Sequence, residues 1–171
     1  MESIKPIVIL SLFALSIFLS CTQTTPQVNE AADDEQSSTE MTYDSIAAKK
    51  YGADDYGMKK YVMAFLKKGP NRDLPEEEAN ALQMAHMENI GRMAEEGKLA
   101  LAGPFFGDGD LRGIYIFNVE SIVEAEALTN TDPAIKAGSL VMELHEWYGS
   151  AGVMAINEIH STLSKKSVME E

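Results

Sequence analysis

Residues 60–67, KYVMAFLK, and residues 75–97, PEEEANALQMAHMENIGRMAEEG, are the two stretches on which the fold turns. The first sets Tyr61, Val62, Met63, Ala64, Phe65 and Leu66 between lysines. It is too short for an independent helix, rich in strand-forming side chains and apolar on both faces, so it reads as a buried strand. Gly69-Pro70-Asn71 ends it. The second reads as a long helix from Pro75 to about Glu96. Pro75 suits a first turn, Asp73 stands near the start as a cap, Glu76, Glu77 and Glu78 sit at the positive end of the helix dipole, and Gly97 stops it. Ala79, Leu82, Ile90 and Met93 fall on one apolar stripe, and the same spacing puts residue 86 in the middle of it. Residue 86 is histidine.

Toward the C-terminus, Leu99 to Ala102 reads as a short strand broken by Gly103-Pro104, and Gly107-Asp108-Gly109-Asp110 as a turn. Gly113 to Val119 is the next strand, which makes a hairpin with a long loop through Phe105 and Phe106. Ser121 and Glu124 form a capping-box pattern for a helix that ends near Thr129, with Ile122, Ala125 and Leu128 inward. Asp132-Pro133 opens a further turn ending at Gly138, and Leu140 to Trp147 alternates as a strand. The order β-α-β-β-α-β is the ferredoxin-like split βαβ of an α+β domain, one antiparallel sheet with both helices on one face. The other face is also apolar at alternate positions of 61–66 and 114–117 and needs cover. A second copy is the simplest cover, so a homodimer with sheets face to face is expected. Ala151 to Leu163 reads as a terminal helix, with Val153, Ile156, Ile159 and Leu163 at helical spacing.

The chain has 171 residues, room for one domain with a leader and a linker. Its net charge of −13 opposes the binding of phosphate backbones, which argues against nucleic acid as a partner. Residues 1–21 read as a secretory leader. Lys5 is followed by a run of thirteen nearly unbroken apolar residues, Ile7 to Leu19, short of the about 20 that a membrane-crossing helix needs. Phe18-Leu19-Ser20-Cys21 resembles a bacterial lipobox, with Phe18 where Leu is usual. That resemblance implies that Cys21, the chain's one cysteine, carries lipid (diacylglyceryl and palmitate-type chains) and becomes the mature N-terminus. Thr22, rather than Asp, follows it, the pattern that favours the outer membrane of the cell envelope. Residues 22–57 read as a polar tether, with Ser45 to Tyr51 as one short helix and Tyr51 and Tyr56 near the domain's edge. The domain itself is expected over 58–150, and a C-terminal helix and tail over 151–171.

Few side chains can carry chemistry. His86 on a core stripe is either a core histidine satisfied by a backbone carbonyl or a site residue, because a buried titratable ring must be hydrogen-bonded. Asp132 before Pro133 is a good helix cap, and a cap can also face a pocket. His145, beside Trp147 and Tyr148, is either a surface strand residue or one that lines a pocket mouth or dimer edge, and His160 falls on the exposed side of the terminal helix. Asp108 and Asp110 read as a solvated turn, no Cys/His cluster of zinc type is present, and no glycine motif for phosphate occurs. Neither a metal nor a cofactor is called for. With Cys21 lipidated, no nucleophile can be assigned.

From Lys60 to about Gly149 the chain resembles the YCII-related (YciI-like) family. The resemblance rests on Gln83-Met84-Ala85-His86 in the first long helix, on Gly97-Lys98-Leu99-Ala100-Leu101-Ala102-Gly103-Pro104, and on Thr131-Asp132-Pro133-Ala134 with Ala137-Gly138. It implies a dimeric α+β barrel and a His/Asp pair in a pocket under the sheet, here His86 and Asp132 as catalytic residues. Some relatives are lyase-like dehalogenases that act on chlorinated lactones. Many have Arg where this chain has Gln83, which leaves Arg92, further along the same helix, as a ligand-binding substitute. Two functions follow: a small acid/base enzyme of lyase type, and a non-catalytic module that holds a small ligand in the same pocket.

Overall fold

The strand expected at 60–67 lies at the centre of the sheet, as a segment apolar on both faces should. In the computed structural model, which describes residues 42–166, the chain runs α1 (Ser45–Tyr51), β1 (Met58–Lys68), α2 (Glu76–Glu95), β2 (Leu99–Pro104), β3 (Leu111–Phe117), α3 (Ile122–Thr129), α4 (Pro133–Lys136), β4 (Leu140–Ser150), a 3₁₀ turn (Ala151–Ala155) and α5 (Ile156–Leu163). The four strands form one antiparallel sheet in the order β2-β3-β1-β4. Val62 of β1 stands opposite Phe117 of β3 on one side and Glu146 of β4 on the other. This is the split βαβ of an α+β domain. Pro104 sits in β2, an edge strand, where the missing N–H leaves no gap in the ladder.

Side-chain alternation divides the sheet into two faces. Val62, Ala64 and Leu66 face the helices, with Leu99, Tyr115 and Phe117 beside them and Met93 of α2 and Ala125 of α3 above. Each fully buried side chain of this size contributes about 1.5–3 kcal/mol. Tyr61, Ala100 and Ile116 point the other way, where Val153 and Met154 of the 3₁₀ turn and Trp147 cover one end of the face. Along the rest of that face, Met63, Phe65 and Ile114 are half-buried and Val141 is exposed.

Several boundaries differ from the sequence expectation. Gly103-Pro104 does not break β2, which runs to Pro104 along the sheet edge, and β3 spans Leu111–Phe117 rather than Gly113 to Val119. Asp73 does not cap α2. Pro75 is the N-cap, without a side-chain hydrogen bond, and Glu76, Glu77 and Glu78 stand in the first turn, at the positive end of the dipole. The terminal helix is split, because Ala151 to Ala155 wind as a 3₁₀ turn whose Val153 packs on the sheet, and Ile159 and Leu163 of α5 are exposed. The tether does not reach residue 57. Asp44 caps α1 by accepting from the Ile46 and Ala47 N–H groups, and Lys50 of α1 pairs with Glu158 of α5 at 2.7 Å. Tyr148 of β4 donates to Asp54 between α1 and β1, while Tyr56 is exposed. Residues 42–57 therefore belong with the domain. The leader, Cys21 and residues 22–41 lie outside the described residues. No helix among the described residues is long and apolar enough to cross a membrane.

Candidate functional site

α2 lies across the helix-facing side of the sheet and turns three polar or apolar groups inward: His86, Asn89 and Met93. The next polar group comes from the far end of the domain. Asp132 takes an extended conformation before Pro133, and its Oδ1 accepts the Ala134 N–H at 2.8 Å, the expected cap of α4. Its Oδ2 lies 2.7 Å from His86 Nδ1. One carboxylate, 0% exposed, therefore caps a helix and orients an imidazole. With the carboxylate as acceptor, Nδ1 carries a proton, and the neutral ring presents Nε2 as its acceptor.

Nε2 meets the Tyr115 hydroxyl at 3.3 Å, and the two rings are stacked with centroids 6.3 Å apart. Burial, with the nearby Asp132 charge adding to it, raises the Tyr115 pKa well above its usual value, so the phenol keeps its proton and donates. Tyr115 is held edge-on by Phe117, two residues along the same face of β3. Nothing in the sequence reading singled out Tyr115. The available signal was its parity, which puts a hydroxyl on the core-facing side of a strand.

His86 and Tyr115 both line a cavity of about 650 Å³ between α2 and the sheet. One wall comes from the stripe of α2 that reads as core in the sequence: Ala79, Leu82 and Ile90 border open space there with Ala94, while Met93 of that stripe is packed in the core. Across from it, Ala102, Gly103 and Gly113 are small and leave room. The mouth is framed by the loops at 69–72 and 137–139. Gly69 fixes their approach, since a Cβ there would stand 2.1 Å from the Gly138 carbonyl oxygen. Asn71 N–H donates to that same oxygen at 3.0 Å, and Arg72 Nη1 donates to the Ser139 carbonyl at 3.1 Å. Arg112, at the start of β3, also lines the cavity and donates to the Gly107 carbonyl at 2.7 Å.

The structure separates the remaining candidates. Arg92 does not line the cavity. Its guanidinium is engaged by Glu96 at 2.7 Å and Asn89 at 2.8 Å, which one helical turn brings to its side, and by Thr131 at 3.0 Å from the segment before α4. Gln83 lines the cavity without an arginine's charge. His145 sits on the opposite face of the sheet, edge-on to Phe65 and 2.7 Å from Glu143, so strand parity removes it from the pocket. His160 is exposed on α5, as its position suggests, and also borders the cavity rim. Among the described residues no group of three or more His, Cys, Asp or Glu side chains is arranged to hold a metal ion.

The profile of the YCII-related domain family matches residues 60–148, the span from β1 to β4 that holds both His86 and Asp132. No curated protein matches the chain. Among solved structures, the chain is similar to a 5-chloro-2-hydroxyhydroquinone dehydrochlorinase from Burkholderia phenoliruptrix in complex with 2,5-dihydroxybenzoquinone. The identity is 21%, the TM-score 0.38, and the match covers 50% of this chain and 92% of that one.

Proposed function

The chain belongs to the YCII-related domain family, and from that premise we propose that it binds a small molecule in the cavity beside His86 and performs acid/base chemistry of lyase type there. The observation that carries this reading is the buried Asp132 carboxylate, which holds His86 by Nδ1 at the cavity wall and leaves Nε2 as the acceptor. In the reaction, Nε2 takes a proton from a carbon next to a carbonyl. The C–H electron pair becomes a C=C bond as a leaving group departs with its own pair. The imidazolium so formed is stabilised by Asp132. Tyr115, kept neutral, donates to oxygen on which negative charge develops.

A non-catalytic ligand-binding module is the second reading. It is favoured by two facts: Nε2 already has the Tyr115 hydroxyl as partner, and His86 is only 6% exposed. A screen of small carbonyl compounds against the purified chain, wild type beside His86→Ala and the milder His86→Gln, tests the site. Hits that lose affinity in both variants are expected, and hits indifferent to both would remove the basis for the site. Turnover of a bound hit distinguishes the enzyme from the binder.

The same proposal places the domain in the cell envelope through a lipid on Cys21, supported by the apolar run from Ile7 to Leu19 that ends at the lipobox-like Phe18-Leu19-Ser20-Cys21. It also includes a homodimer. The support is the sheet face away from the cavity, where Met63, Phe65, Ile114 and Val141 continue past the part covered by the 3₁₀ turn. Two such faces packed together would form the dimeric α+β barrel, with His145 at its edge.

A further inference from the structure

The cavity is electrostatically unlike the chain around it. The protein carries 27 acidic against 14 basic residues, yet neither Asp nor Glu lines the cavity. Arg72 and Arg112 do. Each guanidinium is pinned by one backbone carbonyl, Arg72 on Ser139 and Arg112 on Gly107. Among the described residues neither has a carboxylate within ion-pairing distance, whereas Arg92, outside the cavity, does. A carbonyl orients a guanidinium without neutralising it, so the remaining N–H donors keep both their charge and a fixed direction. In so acidic a chain, two arginines without counter-charges on one cavity call for an anion from outside.

Arg112 also lies away along the strand from Tyr115, the partner of the proposed base. Arg112 is three residues along β3 from Tyr115, about 10 Å of strand. Leu82, Met87, Ile90 and Leu99 also line the cavity. A ligand that satisfies this arrangement has an acidic group at one end and an apolar body.

We propose that Arg72 and Arg112 form an anion subsite at the cavity mouth, and that the ligand class is an amphipathic organic acid (a carboxylate or sulfonate on an apolar body) whose far end reaches toward His86. This rests on the reading of the cavity as the ligand site.

Two fluorescent probes of the same skeleton test it: anilinonaphthalene sulfonate, which carries the anion, and phenylnaphthylamine, which does not. The purified chain should bind the sulfonate more tightly, with an affinity that falls as salt is raised, while the neutral probe is insensitive to salt. Arg72→Gln and Arg112→Gln should each weaken the sulfonate by about tenfold or more, the loss of a charge-assisted hydrogen bond, and leave the neutral probe unchanged. Arg72→Lys and Arg112→Lys should recover part of the loss, which a merely structural role would not give. Equal binding of the two probes by wild type, or parallel loss of both in the glutamine variants, overturns the subsite and leaves the His86 site standing. Failure of both probes to bind wild type overturns the subsite together with the cavity reading beneath it.

Discussion

Replacing Asp132 separates its two duties. In Asp132→Ala the cap of α4 is lost, at a cost of about 1 kcal/mol, since Oδ1 no longer accepts from Ala134. His86 Nδ1, buried and 2.7 Å from Oδ2, is left with its N–H unsatisfied, at a further cost of about 1–3 kcal/mol. The sum, about 2–4 kcal/mol, lowers the melting temperature by about 8–16 °C for a domain of this size. Asp132→Asn behaves differently. Its carbonyl oxygen keeps the cap, and its amide turns a donor toward Nδ1. The imidazole then has to accept at Nδ1 and carry its proton on Nε2, so the base is lost while the fold stays, at a cost of about 1 kcal/mol. Thermal unfolding followed by circular dichroism measures the first effect. Nitrogen-15 chemical shifts of the imidazole, at a pH where the ring is neutral, measure the second. An Asp132→Ala variant as stable as wild type, or an Asp132→Asn variant that still holds its proton on Nδ1, would refute the reasoning.

Other outcomes follow from single groups. Because burial raises the folded-state pKa of Tyr115 above its ordinary value of 10.0, its contribution to stability is fully present below about pH 10 and is lost as pH rises toward the folded pKa. Tyr115→Phe should flatten that alkaline decline in melting temperature, and an unchanged profile would deny the burial. Gly69→Ala forces a Cβ to 2.1 Å from the Gly138 carbonyl and should destabilise by at least about 1–3 kcal/mol, whereas Gly91→Ala, with nothing within 4 Å, should stabilise α2 by about 0.5–1 kcal/mol; chemical denaturation of both reads the contrast. The full-length chain expressed in a bacterial host should incorporate an alkyne-tagged palmitate analogue, and Cys21→Ser should not; a label retained by Cys21→Ser would end the lipid-anchor proposal.

Much of the frame could be read from local pattern. β1, α2 and α3 announced themselves by apolar period and by Gly, Pro and Ser punctuation, and the capping box at Ser121 and Glu124 forms as expected. His86 was visible because a titratable ring stood on an apolar stripe, and Asp132 because it precedes a proline. Their contact joins residues 46 apart, and nothing local specifies it. The cavity was hidden for a related reason. Ala79, Leu82 and Ile90 look like packed core until the facing residues prove to be Ala102, Gly103 and Gly113, and the volume of a gap depends on both walls. Arg72 lies in a loop and Arg112 beside the register shift between β1 and β3, so no periodicity points either of them inward. Arg92 and His145 lie off the cavity for the opposite reason. Each is the right residue type close in sequence to the site, but helix phase takes one to Glu96 and strand parity takes the other to the far face. Residues 42–57 read as the end of the tether because they follow the polar stretch from Thr22 to Glu40, and what orders them is a cap and pairs to distant residues, Asp44, Lys50 and Asp54 among them.

The central claim is that His86, oriented by Asp132, is the group that meets a ligand in this cavity. The most direct measurement is the imidazole spectrum of His86 in the purified chain during titration with a hit from the screen. The account predicts that the Nε2 resonance moves with ligand occupancy while the Nδ1 proton stays on its hydrogen bond to Asp132. Saturation of the chain with a ligand that leaves the His86 resonances unmoved would contradict it.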